Sequence, residues 1–323
     1  MKHVTVTGTY FECGVQVGRQ FRKEIQWRLL HHGIDSAAIL KHAKAFELMK
    51  KKVFDLYPAY CEEIFGLSVG SGIDINLIYF LNFAELSQYH HGCSSIATVS
   101  GIGLKKKMEL VHNEDGDADE KKSACALVTY HLPSGSFTAF TYLGELPGNS
   151  FSWNAKGLFF TVNYIQVRPL SRQVPRYFVS RSLLECSSIR GVKKELEKVH
   201  CDSAFHYFVG DSSGVTSFEH CYDGVSPVKV SSRMVHTNHL LRGKVRSEIY
   251  GSTLERYTRA SELLGSNSGL KILFDTTNRP KPLYAQKGDV SRTLATVRFL
   301  PLQGKVEIYE NRLSKMALVL KIK

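Results

Sequence analysis

The spacing of apolar residues divides the chain into an amino-terminal part with a helical pattern and a longer part with a strand pattern. One early segment has apolar residues at intervals of three and four: Phe46, Met49, Val53 and Leu56. This spacing predicts an amphipathic helix with one buried face. Asp35 or Ser36 is suited to cap the start of this region, and Pro58 interrupts the pattern. The first ninety residues are therefore predicted to be mostly helical.

From about residue 95 short alternating runs predict strands. Two hairpins are predicted from ALVTYHL, PSGS and FTAFTYL and from FHYFVGD, SSG and VTSFEH, and a further strand from GLFFTVNYI. TLATVRFL and KVEIYE form a third pair around a QGK turn. Helices are predicted over 187–199, with Val192, Leu196 and Val199 on one face, and near 251–264. Strand pairs with helices before and between them predict antiparallel sheets covered by helices in one domain spanning 1–323.

The composition predicts a globular protein and a reducing cellular compartment. The chain has 323 residues, of which 43% are hydrophobic and 22% charged. No run approaches the roughly 18 apolar residues of a membrane span, and MKHVTVTGTY lacks the apolar run of a signal peptide. The seven cysteines are irregularly spaced, and no two form a CxxC pair. We therefore expect neither a disulfide framework nor a zinc site, and a reducing, cytoplasmic location.

The charge pattern narrows the choice of partners. Lys and Arg number 42 against 30 Asp and Glu, a net charge of +12, but the basic residues are dispersed. The KKK runs at 50–52 and 105–107 are not interleaved with aromatic residues, so a solvated basic face is favoured over nucleic-acid binding. Binding of an anionic small molecule or an anionic partner by this basic surface stays an open alternative. DGDADE at 115–120 lacks the glycine and glutamate of a calcium loop, and we expect a solvated acidic loop.

The isolated cysteine in HHGCSSIA is the main candidate for chemistry. Its simplest interpretation is a small buried residue, since free cysteine packs like a small hydrophobe. As a nucleophile Cys93 would need a proton acceptor and a group that holds an oxyanion. A histidine could accept the proton, but no spacing singles one out among His91, His112, His236 and His239.

The alternative acceptor is an α-amine, whose pKa of about 7.7–8.0 lies close to the ~8.5 of a thiol. That route requires cleavage before Cys93, and Gly92 leaves its carbonyl open to the thiol.

Several motifs in order resemble one known family. They run from about residue 8 to 300: GTYFECGVQVGRQF, GLSVGSGIDINLIYFLNFAEL, HGCSSIA, HNEDG, NAKGLFFTVNY, VPRYFVSRSLLE, VGDSSGVTSFEH, HTNHL and SRTL. Together they resemble the cysteine N-terminal-nucleophile hydrolases of the acyl-CoA:6-aminopenicillanate (isopenicillin N) acyltransferase family, which is related to the choloylglycine hydrolases. The resemblance implies an αββα sandwich, with two antiparallel sheets between helical layers.

The resemblance also implies roles for particular residues. Cys93 would be the nucleophile both of autocleavage, which separates 1–92 from 93–323, and of catalysis through a thioester. Asp115 would steady the nucleophile and its ammonium group, and Asn238 would donate to the oxyanion. The resemblance places three further residues in or near the site: Asn163 beside it, Asn113 as support for the loop, and Arg292 lining it.

The chain departs from the family pattern at three positions. His91 stands where an aspartate commonly precedes Gly-Cys, and it is a candidate proton shuttle in cleavage. Gly116 replaces an aromatic residue, and His112 replaces an arginine or glutamine. These departures support the alternative of a non-catalytic binding protein of the same fold that uses its basic surface for an anionic partner.

The sequence leaves the details of the reaction open. The expected enzyme would act on a linear amide by hydrolysis or acyl transfer, with hydrolysis the default because water is always present. No cofactor is implied, although acyl-CoA stays open as a co-substrate. The acyl group, the amine and self-association into a homo-oligomer are not specified.

Overall fold

The computed structural model describes residues 1–87, 92–101, 103–167, 174–201, 203–242, 245, 247–249, 251–265 and 267–319. Within these ranges no helix is both long and apolar enough to cross a membrane.

The helices lie mainly before residue 88, with four more between and after the strands. They are α1 (Tyr10–Gln20), α2 (Arg22–His31), α3 (Ser36–Lys41), α4 (Ala43–Leu56), α5 (Pro58–Ser71), α6 (Ile75–Asn82), α7 (Ala84–Ser87), α8 (Arg176–Leu183), α9 (Ile189–Lys198), α10 (Thr253–Leu263) and α11 (Gly269–Leu273).

The strands form two sheets. They are β1 (Lys2–Thr7), β2 (Gly92–Ser100), β3 (Lys107–Asp117), β4 (Cys125–Leu132), β5 (Gly135–Tyr142), β6 (Ser152–Asn154), β7 (Phe159–Ile165), β8 (Ala204–Asp211), β9 (Gly214–Cys221), β10 (Gly224–Lys229), β11 (Arg233–His236), β12 (Ser291–Leu300), β13 (Lys305–Tyr309) and β14 (Met316–Val319). The larger sheet has the order β1-β4-β5-β6-β7-β8-β9-β10, and the smaller has the order β11-β2-β3-β12-β13-β14. Neighbouring strands are antiparallel, apart from the parallel pair β1 and β4.

Side-chain alternation along the strands separates the core into three layers. Leu127 of β4 packs between the two sheets, whereas the next residue, Val128, packs beneath helices α1 to α9. In the smaller sheet Leu110 faces the larger sheet, whereas Val111 packs against α10 and α11. Because successive side chains point to opposite faces of a strand, each sheet is covered on both faces. The structure confirms the predicted α+β class and its αββα layers.

Most predicted elements are present. The three hairpins correspond to β4–β5, β8–β9 and β12–β13. Asp35 caps α3 by accepting a hydrogen bond from the Ala38 N–H at 2.8 Å, and Pro58 opens α5. The predicted helix face is buried at its first three positions, but Leu56 is 51% exposed. The prediction of a mostly helical start missed β1, because a single edge strand pairs with a distant segment that local periodicity does not reveal.

The expectation of a solvated acidic loop at 115–120 is wrong for two of its residues. Asp115 belongs to β3 and is fully buried. Glu120, which follows the end of β3, is also fully buried. A Cβ atom at Gly116 would lie 2.9 Å from both the Glu120 Cγ and the Leu294 Cδ1. The Glu120 side chain therefore fills the space that a side chain at position 116 would need, which explains why glycine fits here.

Helices α1 and α5 touch backbone to backbone. Gly14 and Gly18 of α1 face Gly66 and Gly70 of α5, and a Cβ at Gly66 would lie 2.1 Å from the Phe11 carbonyl oxygen. Real Cβ atoms do not approach backbone atoms this closely, and neither helix backbone can move without repacking the layer on the large sheet. This contact therefore needs glycine on both helices.

We predict that Gly66→Ala destabilises the protein. Helix propensity alone would favour alanine by about 1 kcal/mol, but overpacking should reverse the sign and cost roughly 1–3 kcal/mol of unfolding free energy. Denaturant unfolding measures the change. The matched control is Gly191→Ala in α9, where the added Cβ makes only ordinary contacts, the nearest at 3.5 Å from the Ser188 Oγ. Equal stability of the two variants would contradict the close-contact interpretation.

Candidate active site around Cys93

The pairing of β2 with β3 sets the position of Cys93. Strand β2 begins at Gly92, and the register aligns Gly92 with Asp115 and Cys93 with Glu114. Alternation then directs Cys93 and Glu114 into the space between the sheets, and Asp115 toward the layer of α10 and α11. Cys93 is 2% exposed. Gly92 does not have a positive φ, so its backbone shows no glycine-specific strain.

The backbone of Cys93 is held on both sides by side chains. Its N–H donates to the Asn238 Oδ1 at 2.9 Å, and Arg256 donates to its carbonyl oxygen. Arg256 also donates to the Ser94 hydroxyl oxygen at 2.7 Å and to the Asn238 Oδ1 at 2.5 Å. The Asn238 Nδ2 donates to the Tyr164 carbonyl at 2.9 Å. These partners fix the Asn238 amide with its oxygen toward Cys93.

The Cys93 thiol lies in a buried, negatively charged environment. Its Sγ is 3.7 Å from the Glu114 Oε2. Burial raises the pKa of the thiol well above its usual value, and the charges of Glu114 and Asp115 raise it further. The charge of Arg256 and a hydrogen bond from the Tyr164 backbone act in the opposite direction. In the uncleaved chain Cys93 is therefore a neutral thiol.

Asp115 is a buried carboxylate with one oxygen that lacks a partner. Its Oδ1 accepts a hydrogen bond from the Thr293 hydroxyl at 2.6 Å, whereas its Oδ2 has no hydrogen-bond partner among the described residues. A Cβ built on Gly92 would lie 3.7 Å from this Oδ2, so the unpaired oxygen lies against Gly92. Burial raises the pKa of Asp115 to about 6, with Arg256 as the main opposing influence.

Two other predicted asparagines act as cross-links. Asn113 donates to the carbonyls of Leu273 and Leu283 at 2.7 and 2.8 Å, so it ties β3 to α11 and the loop that follows. Asn163 accepts a hydrogen bond from the Ser95 hydroxyl at 2.6 Å and donates to the His236 carbonyl at 3.3 Å. Asn163 thus joins β7 to β2, two residues beyond Cys93.

The remaining predicted residues are Arg292 and His91. Arg292 lies half-buried on β12 opposite Gly116. Its charge helps to lower the pKa of Lys122, after the larger effect of burial. His91 lies outside the described residues, so its part in cleavage stays a prediction.

Residues that the sequence interpretation missed complete the site. Arg256 lies in α10, where buried Thr253, Arg256 and Ala260 follow a helical spacing, so an arginine inside an apolar stripe was the available signal. Glu114 shares the inward face of β3 with Leu110, which strand alternation alone could have indicated. In both cases a charged residue at a core position marked the site.

A cluster away from Cys93 has side chains of the types that bind metal ions, but we assign no metal to it. His31, His32 and Glu120 place ligand atoms within 4.8 Å of one another. Burial lowers the pKa of His32 to about 2, and the nearby positive charge of Arg28 contributes to this shift. The same charge opposes the binding of a cation.

Comparison with known proteins defines the family. Residues 104–315 match the family described as acyl-coenzyme A:6-aminopenicillanic acid acyl-transferase. This match covers more than half of the chain and includes Asp115, Asn163, Asn238 and Arg292, although it begins after Cys93. The chain belongs to this family, as the resemblance in its motifs predicted.

A curated relative and two solved structures are also similar. The chain is 25% identical over 210 residues to the beta-alanyl-dopamine/carcinine hydrolase of Drosophila melanogaster, a match that covers 56% of this chain and about half, 53%, of the relative. A mutant of conjugated bile acid hydrolase from Clostridium perfringens superposes with a TM-score of 0.44 at 11% identity, covering 70% of this chain and 92% of the other. Penicillin V acylase from Agrobacterium tumefaciens gives 0.40 at 12%, covering 70% and 84%. These TM-scores are too low to establish a shared fold by themselves.

We predict a pH dependence of stability that arises from Asp115. Its folded pKa of about 6 lies above the ordinary 3.8, so the folded state binds this proton more tightly than the unfolded state. The resulting stabilisation is complete below about pH 4 and is lost as the pH rises through about 6, a change on the order of 3 kcal/mol.

The measurement compares Cys93→Ala with Cys93→Ala/Asp115→Asn, so that neither chain can be cleaved. The stability of the first variant relative to the second should fall across this pH range. A parallel pH dependence of the two variants would show that Asp115 does not titrate as expected.

Proposed function

We propose that the chain is an amide hydrolase or acyltransferase whose nucleophile, Cys93, becomes an amino-terminal residue by cleavage of the Gly92–Cys93 bond. Family membership supports acyl chemistry. The observation that carries the proposal is the arrangement at this bond. Asn238 and Arg256 hold the backbone of Cys93, while a buried carboxylate lies against Gly92 with one oxygen that has no hydrogen-bond partner in the part of the chain that the structure describes.

Cleavage supplies what the uncleaved site lacks. The Cys93 sulfur attacks the Gly92 carbonyl carbon, the C–N bond breaks, and water hydrolyses the resulting thioester. The products are a carboxylate on Gly92 and an α-amine on Cys93, in one domain made of segments 1–92 and 93–323. Protonated, this amine is a second positive charge beside the buried Asp115, in addition to Arg256, and Asn238 can accept a hydrogen bond from it.

The new amine also completes the catalytic group. Its ordinary pKa of about 7.7–8.0 lies close to that of a thiol, so it can take the Cys93 proton and pass it to the leaving amine. Arg256 supports the thiolate through its positive charge. The expected oxyanion donor is the Nδ2 amino group of Asn238, which in the uncleaved chain donates to the Tyr164 carbonyl at 2.9 Å and carries two N–H donors.

The substrate is proposed to be a small linear amide, and the acyl-enzyme is resolved by water or, in acyl transfer, by an amine. No metal or cofactor is proposed, acyl-CoA stays open as an acyl donor, and the cytoplasm remains the expected location. The Drosophila relative is named for beta-alanyl-dopamine and carcinine, so these two compounds are the first substrates to test.

The buried neutral thiol also supports a second candidate, a binding protein of the same fold in which Cys93 is structural. One argument for this candidate was that Gly116 replaces an aromatic residue of the family pattern. The structure weakens that argument, because the Glu120 side chain fills the space beside Gly116 and the glycine therefore reflects packing.

We predict that Cys93→Ala abolishes both cleavage and thiol reactivity. Intact-mass analysis of the purified wild type should show segments 1–92 and 93–323 that elute together, because β1 pairs with β4 and the helices of the first segment pack on the larger sheet. The variant should keep its full-length mass, and an alkylating probe should no longer label position 93.

The matched control is Cys186→Ala, which changes a half-buried cysteine and should cleave normally. An uncleaved wild type in which Cys93 resists alkylation would favour the binding protein.

A further inference from the structure

We propose that Glu114, paired with His112, accepts the proton of the Cys93 thiol in the cleavage step. This inference rests on the proposed autocleavage and identifies its base. Before cleavage the nitrogen of Cys93 is part of a peptide bond, so it cannot act as the base that a free α-amine becomes afterwards. The thiol therefore needs another acceptor in the uncleaved chain.

Glu114 is placed for this transfer by the sheet itself. It lies directly opposite Cys93 in the β2–β3 register, and the two side chains share the face between the sheets. The Sγ to Oε2 distance is 3.7 Å, and both residues are buried. A thiol donor and a carboxylate acceptor thus meet in a site from which bulk water is excluded.

The Glu114 carboxylate is held by three groups besides the thiol. The Tyr142 hydroxyl donates to its Oε1 at 2.6 Å, and the Ser150 hydroxyl donates to its Oε2 at 2.5 Å. The Nε2 atom of His112 lies 2.9 Å from the same Oε2. These contacts compensate the buried charge and fix the carboxylate toward the sulfur.

The hydrogen-bond network determines where the protons are. The Asn163 Nδ2 donates to the His236 carbonyl, so its Oδ1 must face Ser95 and accept the Ser95 hydroxyl proton. Ser95 must then accept from His112 at its 2.8 Å contact, which places a proton on the His112 Nδ1. The Nε2···Oε2 contact therefore has a single proton to share, and with that proton on the His112 Nε2 the Glu114 carboxylate can take the thiol proton.

Charge changes during the step favour this acceptor. The negative charge of Glu114 is one reason why the thiol holds its proton, and transfer to Glu114 neutralises that charge as the thiolate forms. Arg256 and the Tyr164 backbone remain in place to stabilise the thiolate. His112 is anchored through Ser95 and Asn163, so the pair keeps its orientation during the transfer.

The step is balanced in atoms and charge. The proton leaves Sγ for the Glu114 Oε2, the Sγ–C bond to Gly92 forms, and the C–N bond of Gly92–Cys93 breaks. Glu114 returns its proton to the departing nitrogen, which becomes the α-amine of Cys93. Water then adds hydroxide to the Gly92 carbonyl carbon, the C–S bond of the thioester breaks, and the sulfur takes the remaining proton.

The test compares Glu114→Gln with Glu114→Asp by following loss of the full-length chain in pulse–chase cell-free translation. Glutamine keeps the size and accepts hydrogen bonds but cannot take a proton, so cleavage should slow by about 100-fold or more. Aspartate is shorter but can take a proton, so it should restore a substantial part of the rate. A purely structural role would give the opposite order, since glutamine fits better than aspartate.

Two further variants complete the experiment. Glu109→Gln lies on the same strand, where Glu109 contacts Arg298 and the Gly269 N–H, and it should cleave at the wild-type rate. Ser95→Ala removes the anchor of His112 while Glu114 stays intact, and it should slow cleavage even if Glu114→Gln fails to fold. Wild-type rates in either Glu114→Gln or Ser95→Ala, or aspartate slower than glutamine, would overturn the proposal. An uncleaved wild type would instead contradict the proposed function.

Discussion

The antiparallel pairing of β2 with β3 is the constraint on which the site depends. One register aligns Gly92 with Asp115 and Cys93 with Glu114, and alternation sends the two carboxylates to opposite faces of the sheet. Asp115 therefore lies against Gly92, whereas Glu114 lies against the sulfur of Cys93. A shift of one residue would exchange these faces and separate both carboxylates from their partners.

The site concentrates buried charge that the fold must hold in place. Helix α10 supplies Arg256, and through the Thr253 hydroxyl it also holds the backbone N–H of Asn238 at 2.8 Å. Helix α10 thus positions both side chains that hold the Cys93 backbone, Arg256 and Asn238. Asn113 adds a tie from β3 to α11. The close packing of α1 and α5 belongs to the opposite outer layer, where Glu63 of α5 forms a buried ion pair with Arg181 of α8 at 3.0 Å.

The Oδ2 of Asp115, which has no hydrogen-bond partner within the described ranges, departs from the rule that buried polar groups are hydrogen-bonded. Such departures are expected at functional sites, where local stability is given up for chemistry. Here the proposed cleavage creates the missing partner, so the uncleaved chain is less well satisfied electrostatically than its product. The neutral, buried thiol fits the same view, because in the proposed mechanism the α-amine that takes its proton during catalysis forms only with cleavage.

The sequence by itself determined the hairpins and, through the resemblance in its motifs, the αββα class and the family, because alternation, turn residues and motif order are local features of the chain. It also predicted Cys93 as the nucleophile. It did not reveal β1, whose partner β4 lies far along the sequence. Nor did it reveal Arg256, which lies 163 residues from Cys93 in the chain yet donates to its carbonyl. Nor did it reveal a role for Glu114, which precedes the motif residue Asp115, because only the strand register places Glu114 opposite Cys93. Only the tertiary structure decided these contacts, because local patterns fix which face a side chain takes but not which distant segment packs against it.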